Sequence, residues 1–198
     1  MLDQACAHAR RAESTDAPTA VSVNISGRNL LRADYSELVG RCIDEHALEP
    51  ARLCFEISEI ALLDDLETTN DALRALKDLG VRLAIDDFGT GGSSLTYLRQ
   101  FPFDELKIDS SFIAGLGRSA ADDAIVAATI DMAHALGMIV SAEGVETERQ
   151  RARLLELGCD RAQGYLLAEP APEAGAPLLP AAELDTRPRL TIVKEQTA

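Results

Sequence analysis

Arg82-Leu83-Ala84-Ile85-Asp86-Asp87-Phe88-Gly89-Thr90-Gly91-Gly92-Ser93-Ser94-Leu95 is the stretch on which the fold prediction depends. Its apolar run ends in two adjacent carboxylates, and a glycine-rich turn and the start of a helical pattern follow. This order predicts a buried strand with Asp86 and Asp87 at its C-terminal end, where an α/β barrel carries its chemistry. Adjacent carboxylates repel each other unless a cation or a proton lies between them. The alternative is a solvated Asp-Asp turn followed by a helix cap.

Strand patterns alternate with helical patterns on both sides of this stretch. Most of the strand patterns are continuously apolar, which favours a parallel sheet covered by helices, and six such units can form a barrel or an open sheet. The other strands are predicted at 19–26, 52–57, 105–109, 138–143 and 161–166. The helices are predicted at 1–13, 35–47, 66–79, 94–99, 122–136 and 147–157.

Composition limits the chain to one sizeable domain. It has 198 residues, 46% of them hydrophobic, and a full barrel of about 250 residues would be a tight fit. We predict a domain over residues 1–170 and a Pro/Ala-rich, mostly disordered tail over residues 171–198, with a short strand near 190–193.

The charge and the cysteines narrow the class of protein further. A formal net charge of −14 disfavours binding to DNA or RNA polymers, although metals could still allow a phosphate ligand to bind. The four widely spaced cysteines predict buried free thiols, and the three histidines show no metal-ligand spacing. No apolar run reaches membrane length and no signal peptide opens the chain, so we expect a cytoplasmic protein.

Polar side chains stand near the C-terminal end of every predicted strand. In a parallel sheet they gather at one rim, and the carboxylate and amide oxygens among them suit Mg²⁺ or Mn²⁺. Alternatively, Glu56 caps a helix or forms an ion pair, Lys107 neutralises Asp109, and Gln163 forms hydrogen bonds with backbone groups. The strand-end residues are Asn24, Glu56, Asp86 with Asp87, Lys107, Glu143 and Gln163.

The motifs around these residues resemble the EAL family of cyclic di-GMP phosphodiesterases, in the family's order. The matching stretches are Val23-Asn24-Ile25-Ser26, Phe55-Glu56-Ile57-Ser58-Glu59, Asp86-Asp87-Phe88-Gly89-Thr90-Gly91, Leu106-Lys107-Ile108-Asp109, Ala142-Glu143-Gly144-Val145-Glu146 and Gln163-Gly164-Tyr165.

The resemblance implies a (β/α)₈ TIM-like barrel of the EAL type and a two-metal hydrolysis of cyclic di-GMP to linear pGpG. It also implies a homodimer, or an upstream sensor or cyclase domain, as partner, and a loop from Phe88 to Ser94 that couples dimerisation to metal binding. The resemblance assigns metal binding to Asn24, Glu56, Asp86 and Asp87, and catalysis to Lys107 and Glu143. It further implies that Gln163 binds the substrate, that Glu59 anchors the loop after Asp87, and that Glu146 has a supporting position.

One departure from the family stands out, because the chain contains no Glu-Ala-Leu triplet. The resemblance places that triplet on a strand before the Asn24 strand, so we expect an incomplete barrel without its first two strands and without one metal ligand. An internal start in a longer protein, a degenerate gene product and a partner that closes the gap all stay open. A non-catalytic module that binds cyclic di-GMP or a protein partner is the alternative function.

Overall fold

A computed structural model describes residues 2–12, 20–62, 66–90, 95–168 and 190–191 of the chain. Within these residues helices alternate with strands. The helices are α1 (Leu2–Ala12), α2 (Gly27–Leu30), α3 (Tyr35–Glu45), α4 (Leu66–Asp78), α5 (Leu95–Gln100), α6 (Ser110–Ala114), α7 (Ala120–Ala135) and α8 (Glu148–Glu156), and 3-10 turns cover Pro50–Arg52 and Glu59–Leu62.

The described strands form one sheet in which every neighbouring pair is parallel. They are β1 (Ala20–Ile25), β2 (Leu53–Ser58), β3 (Arg82–Phe88), β4 (Glu105–Ile108), β5 (Ile139–Ala142), β6 (Arg161–Ala162) and β7 (Leu190–Thr191). The order across the sheet is β6-β5-β4-β3-β2-β1-β7, so β1 to β6 follow the chain and β7 returns to the outer side of β1. This is the predicted α/β fold with an incomplete parallel barrel.

The two faces of the sheet differ in chemistry. Val23, Phe55, Ile85 and Leu106 belong to the main hydrophobic core beneath the helices. Residues one step along each strand point to the opposite face, since side chains alternate across a strand. That second face carries the buried polar side chains, among them Lys107. The functional residues therefore stand on the side of the sheet that is turned away from the helices.

The predicted helices and strands occur in the predicted order, with one strand clearly shorter than predicted. β6 ends at Ala162 instead of residue 166. Gly164 has φ +155, and the backbone turns there so that the amides of Leu167 and Ala168 donate to the Gly164 carbonyl. The run after Ala162 is apolar enough to suggest a strand, but this turn ends the ladder.

Two short helices were missed by the sequence patterns. Ser26 caps α2 by accepting from the Asn29 amide, and Asp109 caps α6 by accepting from the Ser111 amide. Helices of four and five residues are too short to show a periodic apolar face.

The C-terminal predictions are only partly covered by the structure. The predicted disorder of residues 171–198 lies outside the described residues, except that the short strand expected near 190–193 is β7. Among the helices described, none is long and apolar enough to cross a membrane.

Candidate functional site

Lys107 lies at the centre of the site, and its side chain is 1% exposed. It extends from β4 and donates a hydrogen bond from Nζ to Glu56 Oε2 at 2.8 Å. Nζ also lies 2.6 Å from Glu143 Oε1 and 3.0 Å from Asp86 Oδ1. One buried ammonium therefore neutralises part of the charge of three carboxylates.

This contact set fits a curled sheet. Glu56 stands on β2 and Glu143 follows β5, which is three places away in the sheet. In a flat sheet those strands would be roughly 14 Å apart at about 4.8 Å per strand. Lys107 stands on β4 between them, and strands that curve towards each other, as in a barrel, bring both carboxylates closer to its ammonium.

Burial and charge act in opposite directions on Lys107. Burial lowers the pKa of its ammonium, but Glu56, Glu143 and Asp86 raise it, and the net direction of the pKa is upward. Lys107 is therefore a permanent cation at neutral pH. With three carboxylates around one ammonium, the cluster still carries net negative charge and can attract a further cation.

An irregularity in β3 brings the two adjacent aspartates to one site. The β3–β4 register pairs Ile85 with Leu106 and Phe88 with Ile108, so two residues of β3 stand opposite the single residue Lys107. This is the pattern of a β-bulge, and Asp87 has φ +53, a backbone conformation that few non-glycine residues adopt. In a regular strand the side chains of Asp86 and Asp87 would point to opposite faces.

The bulge creates a group of oxygen ligands. Carboxylate oxygens of Asp86, Asp87 and Glu143 all lie within 4.8 Å of one another. Asp86 Oδ1 is buried and has ion-pair contact with Lys107, yet it accepts no hydrogen bond within the described part of the chain. An all-oxygen donor set of this kind fits a hard divalent cation.

Gln163 extends the site beyond Glu143. Its Nε2 donates to Glu143 Oε1 at 3.1 Å, the same oxygen that Lys107 contacts. The amide oxygen of Gln163 is buried and finds no hydrogen-bond partner among the residues described. A buried acceptor of this kind is costly unless a further donor, such as a ligand hydroxyl or a water, satisfies it.

Glu59 lies beneath the backbone that leaves β3. It is 3% exposed, and its Oε2 accepts a hydrogen bond of 2.9 Å from the Gly89 amide. Glu59 thus ties the 3-10 turn after β2 to the start of the loop after β3. Residues 91–94 of that loop lie outside the described residues, so the role of the loop in coupling dimerisation to metal binding stays a prediction.

Two predicted residues stand at the margin of the site. Asn24 is exposed and is paired in register with Glu56, so it lies next to the cluster on the neighbouring strand. The side chain of Glu146 is exposed, and its backbone amide donates to Gln150 Oε1 at the start of α8. Glu146 therefore supports the turn after β5 through its backbone.

One reading of the sequence is wrong. Lys107 does not neutralise Asp109, because Asp109 accepts hydrogen bonds from the amide and the hydroxyl of Ser111 at the start of α6. The carboxylates that Lys107 contacts are instead Glu56, Asp86 and Glu143. The bulge is the feature that sequence reasoning missed, although Asp-Asp followed by Phe-Gly at a strand end could have indicated it.

Comparisons with known proteins show the family to which the chain belongs. The EAL domain family model matches residues 1–170. The signaling protein YkoW of Bacillus subtilis is 39% identical over 172 residues, which is 87% of this chain and 22% of YkoW. The bifunctional diguanylate cyclase/cyclic di-GMP phosphodiesterase MucR of Pseudomonas aeruginosa is 39% identical over 173 residues, which is 87% of this chain and 25% of MucR.

Solved structures of EAL domain proteins are also similar to this chain. The crystal structure of the EAL domain of Mycobacterium smegmatis DcpA has a TM-score of 0.80 and 42% identity, and the match covers 85% of this chain and 76% of that one. The PaMucR phosphodiesterase in complex with c-di-GMP has a TM-score of 0.82 and 39% identity, with 87% and 70% coverage. The chain spans only 21–25% of the length of several of its curated relatives.

Proposed function

The chain belongs to the EAL domain family, and on that premise we propose that its site binds a divalent metal ion and hydrolyses one phosphodiester bond of cyclic di-GMP to give linear pGpG. The observation that carries the proposal is the group formed by Asp86, Asp87 and Glu143 beside the ammonium of Lys107. Mg²⁺ or Mn²⁺ is the metal that such oxygen ligands favour.

The proposed roles follow from the contacts of each side chain. Asp86, Asp87 and Glu143 would hold the metal, with Glu56 and Asn24 on the neighbouring strands completing the rim. A bound metal would polarise the phosphate and lower the pKa of a water molecule. Lys107 orients three of these carboxylates and offers its positive charge to the phosphate, and the amide oxygen of Gln163 accepts a hydrogen bond from a water or a substrate hydroxyl. Glu59 holds the start of the loop after β3.

Binding of cyclic di-GMP without hydrolysis is the second candidate function. It is favoured by the position of Glu56, because this carboxylate lies outside the group formed by Asp86, Asp87 and Glu143. The chain also contains no Glu-Ala-Leu triplet, which the family resemblance associates with a metal ligand. We also propose that the chain has a partner, which is either a second copy in a homodimer or an additional sensor or cyclase domain.

A hydrolysis assay distinguishes the two functions. The purified chain is incubated with cyclic di-GMP and Mg²⁺ or Mn²⁺, and linear pGpG is separated by chromatography. We expect pGpG from the wild type and none from Asp86→Asn, while Asp131→Asn on the exposed face of α7 serves as the matched control with wild-type turnover. Binding of cyclic di-GMP without pGpG supports the second function, and the absence of both binding and turnover contradicts the proposal.

A further inference from the structure

β1 has the character of an internal strand, although it stands beside the short β7 near the end of the sheet. All its residues except Asn24 are buried, with Val21 2% and Val23 6% exposed towards the helices and Ser22 7% exposed on the other side. Its sequence, Ala-Val-Ser-Val-Asn-Ile, has none of the charges, prolines or bulges with which edge strands avoid pairing with other chains.

The outer edge of β1 is only partly paired. β7 pairs in parallel with its first two residues, Ala20 with Leu190 and Val21 with Thr191. From Ser22 to Ile25 the outer edge pairs with no strand in the described parts of the chain. Unpaired amide and carbonyl groups along a buried strand are costly and form a template for another strand.

We infer that the outer edge of β1 is a strand-acceptor surface and that the chain's own C-terminal segment around Leu190–Thr191 occupies it in cis. The segment would thereby prevent the same edge from pairing with a second copy of the chain.

The covalent connection permits this pairing. β6 and β7 stand at opposite ends of the sheet, so the chain after Ala168 must pass from one end to the other. Residues 169–189 can span roughly 70 Å at about 3.4 Å per residue, whereas the six spacings between β6 and β7 add up to only about 29 Å. β7 contacts the N-terminal end of β1, whereas Asn24 and the Lys107 cluster stand at the C-terminal ends of the strands. β7 can therefore be removed without changing any residue of the site.

Deletion of residues 188–198 tests this inference in the otherwise full chain. Deletion of residues 195–198 alone is the matched control, because it leaves β7 in place. Hydrogen exchange read by mass spectrometry reports the protection of the β1 amides, and sedimentation reports the mass. Without β7 we expect β1 amides to exchange about tenfold faster or more, since they lose ladder bonds, and the mass to rise with protein concentration. Strands β4 and β5 should keep their protection.

Two further arms keep the test decisive if the deletion destabilises the chain. A Leu190→Pro/Thr191→Pro double variant retains the tail but cannot donate ladder bonds from these residues, and a peptide of residues 185–198 added to the deleted chain should restore β1 protection and the monomeric mass. Unchanged β1 exchange in both variants, or a peptide that restores nothing, overturns the inference. A full chain that is dimeric and becomes monomeric on deletion would assign the edge to a second copy and also overturn it.

Discussion

Lys107 combines two functions that usually fall to separate groups. It is a structural cation, because its ammonium neutralises part of the charge that Glu56, Asp86 and Glu143 bring into a buried region. It is also a charge placed beside the oxygen ligands of a candidate metal site. A buried carboxylate cluster without such a cation would cost several kcal/mol per uncompensated charge.

Replacement of the lysine should therefore destabilise the fold. We expect Lys107→Met to lower the free energy of unfolding by about 3–5 kcal/mol, because three buried carboxylates lose their cation. Urea unfolding monitored by circular dichroism measures this change. Addition of Mn²⁺ should recover part of the loss, because a metal cation replaces the missing positive charge.

Lys77→Met is the matched control for this prediction. The Lys77–Asp104 ion pair is about one-third exposed at both side chains, so its removal should cost no more than about 1 kcal/mol. Equal effects of the two substitutions would contradict the assignment of Lys107 to a buried charge cluster.

The elements around the site deviate from regular geometry where polar side chains must converge. β3 contains the bulge that turns Asp86 and Asp87 to one side, and the chain after β6 turns sharply at Gly164 so that Gln163 stays beside Glu143. A Cβ atom at Gly164 would lie 2.2 Å from the Val145 amide nitrogen and 2.3 Å from its carbonyl oxygen. Only glycine allows the two backbones to approach this closely.

The Gly164→Ala substitution tests whether the close backbone contact at Gly164 adds to the energetic cost of the backbone conformation itself. We expect it to lower the free energy of unfolding by at least about 2 kcal/mol more than Gly137→Ala, because overpacking adds to the cost of the backbone conformation. Gly137 has φ +79, and nothing lies within 4 Å of a Cβ atom at that position. Chemical denaturation measures both variants. A Gly164→Ala protein as stable as Gly137→Ala would show that the backbone contact is relaxed easily.

The same elements show what can be predicted from the sequence and what cannot. The apolar strand runs, the glycines after the helices and the polar strand ends were sufficient to predict the order of elements and the rim that carries Glu56, Asp86, Lys107 and Glu143. The bulge could not be predicted, because it depends on the register between β3 and β4. The choice of partners for Lys107 depends on the curl of the whole sheet, and local patterns carry no information about it.

At the scale of the whole molecule, four free thiols are buried in the fold. Cys6, Cys42, Cys54 and Cys159 are all buried and unpaired. Burial raises the pKa of Cys6 to about 11, with a further contribution from the neighbouring Cys42. Burial also raises the pKa of Cys159 to about 12.

These thiols should react very slowly in the folded protein. Because a raised pKa lowers the thiolate fraction at pH 8 and the thiolate is the reactive form, we expect labelling by a disulfide reagent to be at least about 100-fold slower than for free cysteine. In guanidinium chloride all four thiols should react. A thiol that reacts rapidly in the native state would show that the α1–α3 region or the sheet opens more readily than the packing indicates.

Calorimetric titration of the chain with Mn²⁺ tests the central claim most directly, namely that Asp86, Asp87 and Glu143 form a metal site beside Lys107. The wild type and the exposed control Asp131→Asn should bind Mn²⁺ with the same affinity, and Asp86→Asn should bind at least about tenfold more weakly, because a neutral amide replaces a charged carboxylate of the group. Equal Mn²⁺ binding by the wild type and Asp86→Asn, or no binding by any of the three proteins, would contradict the account.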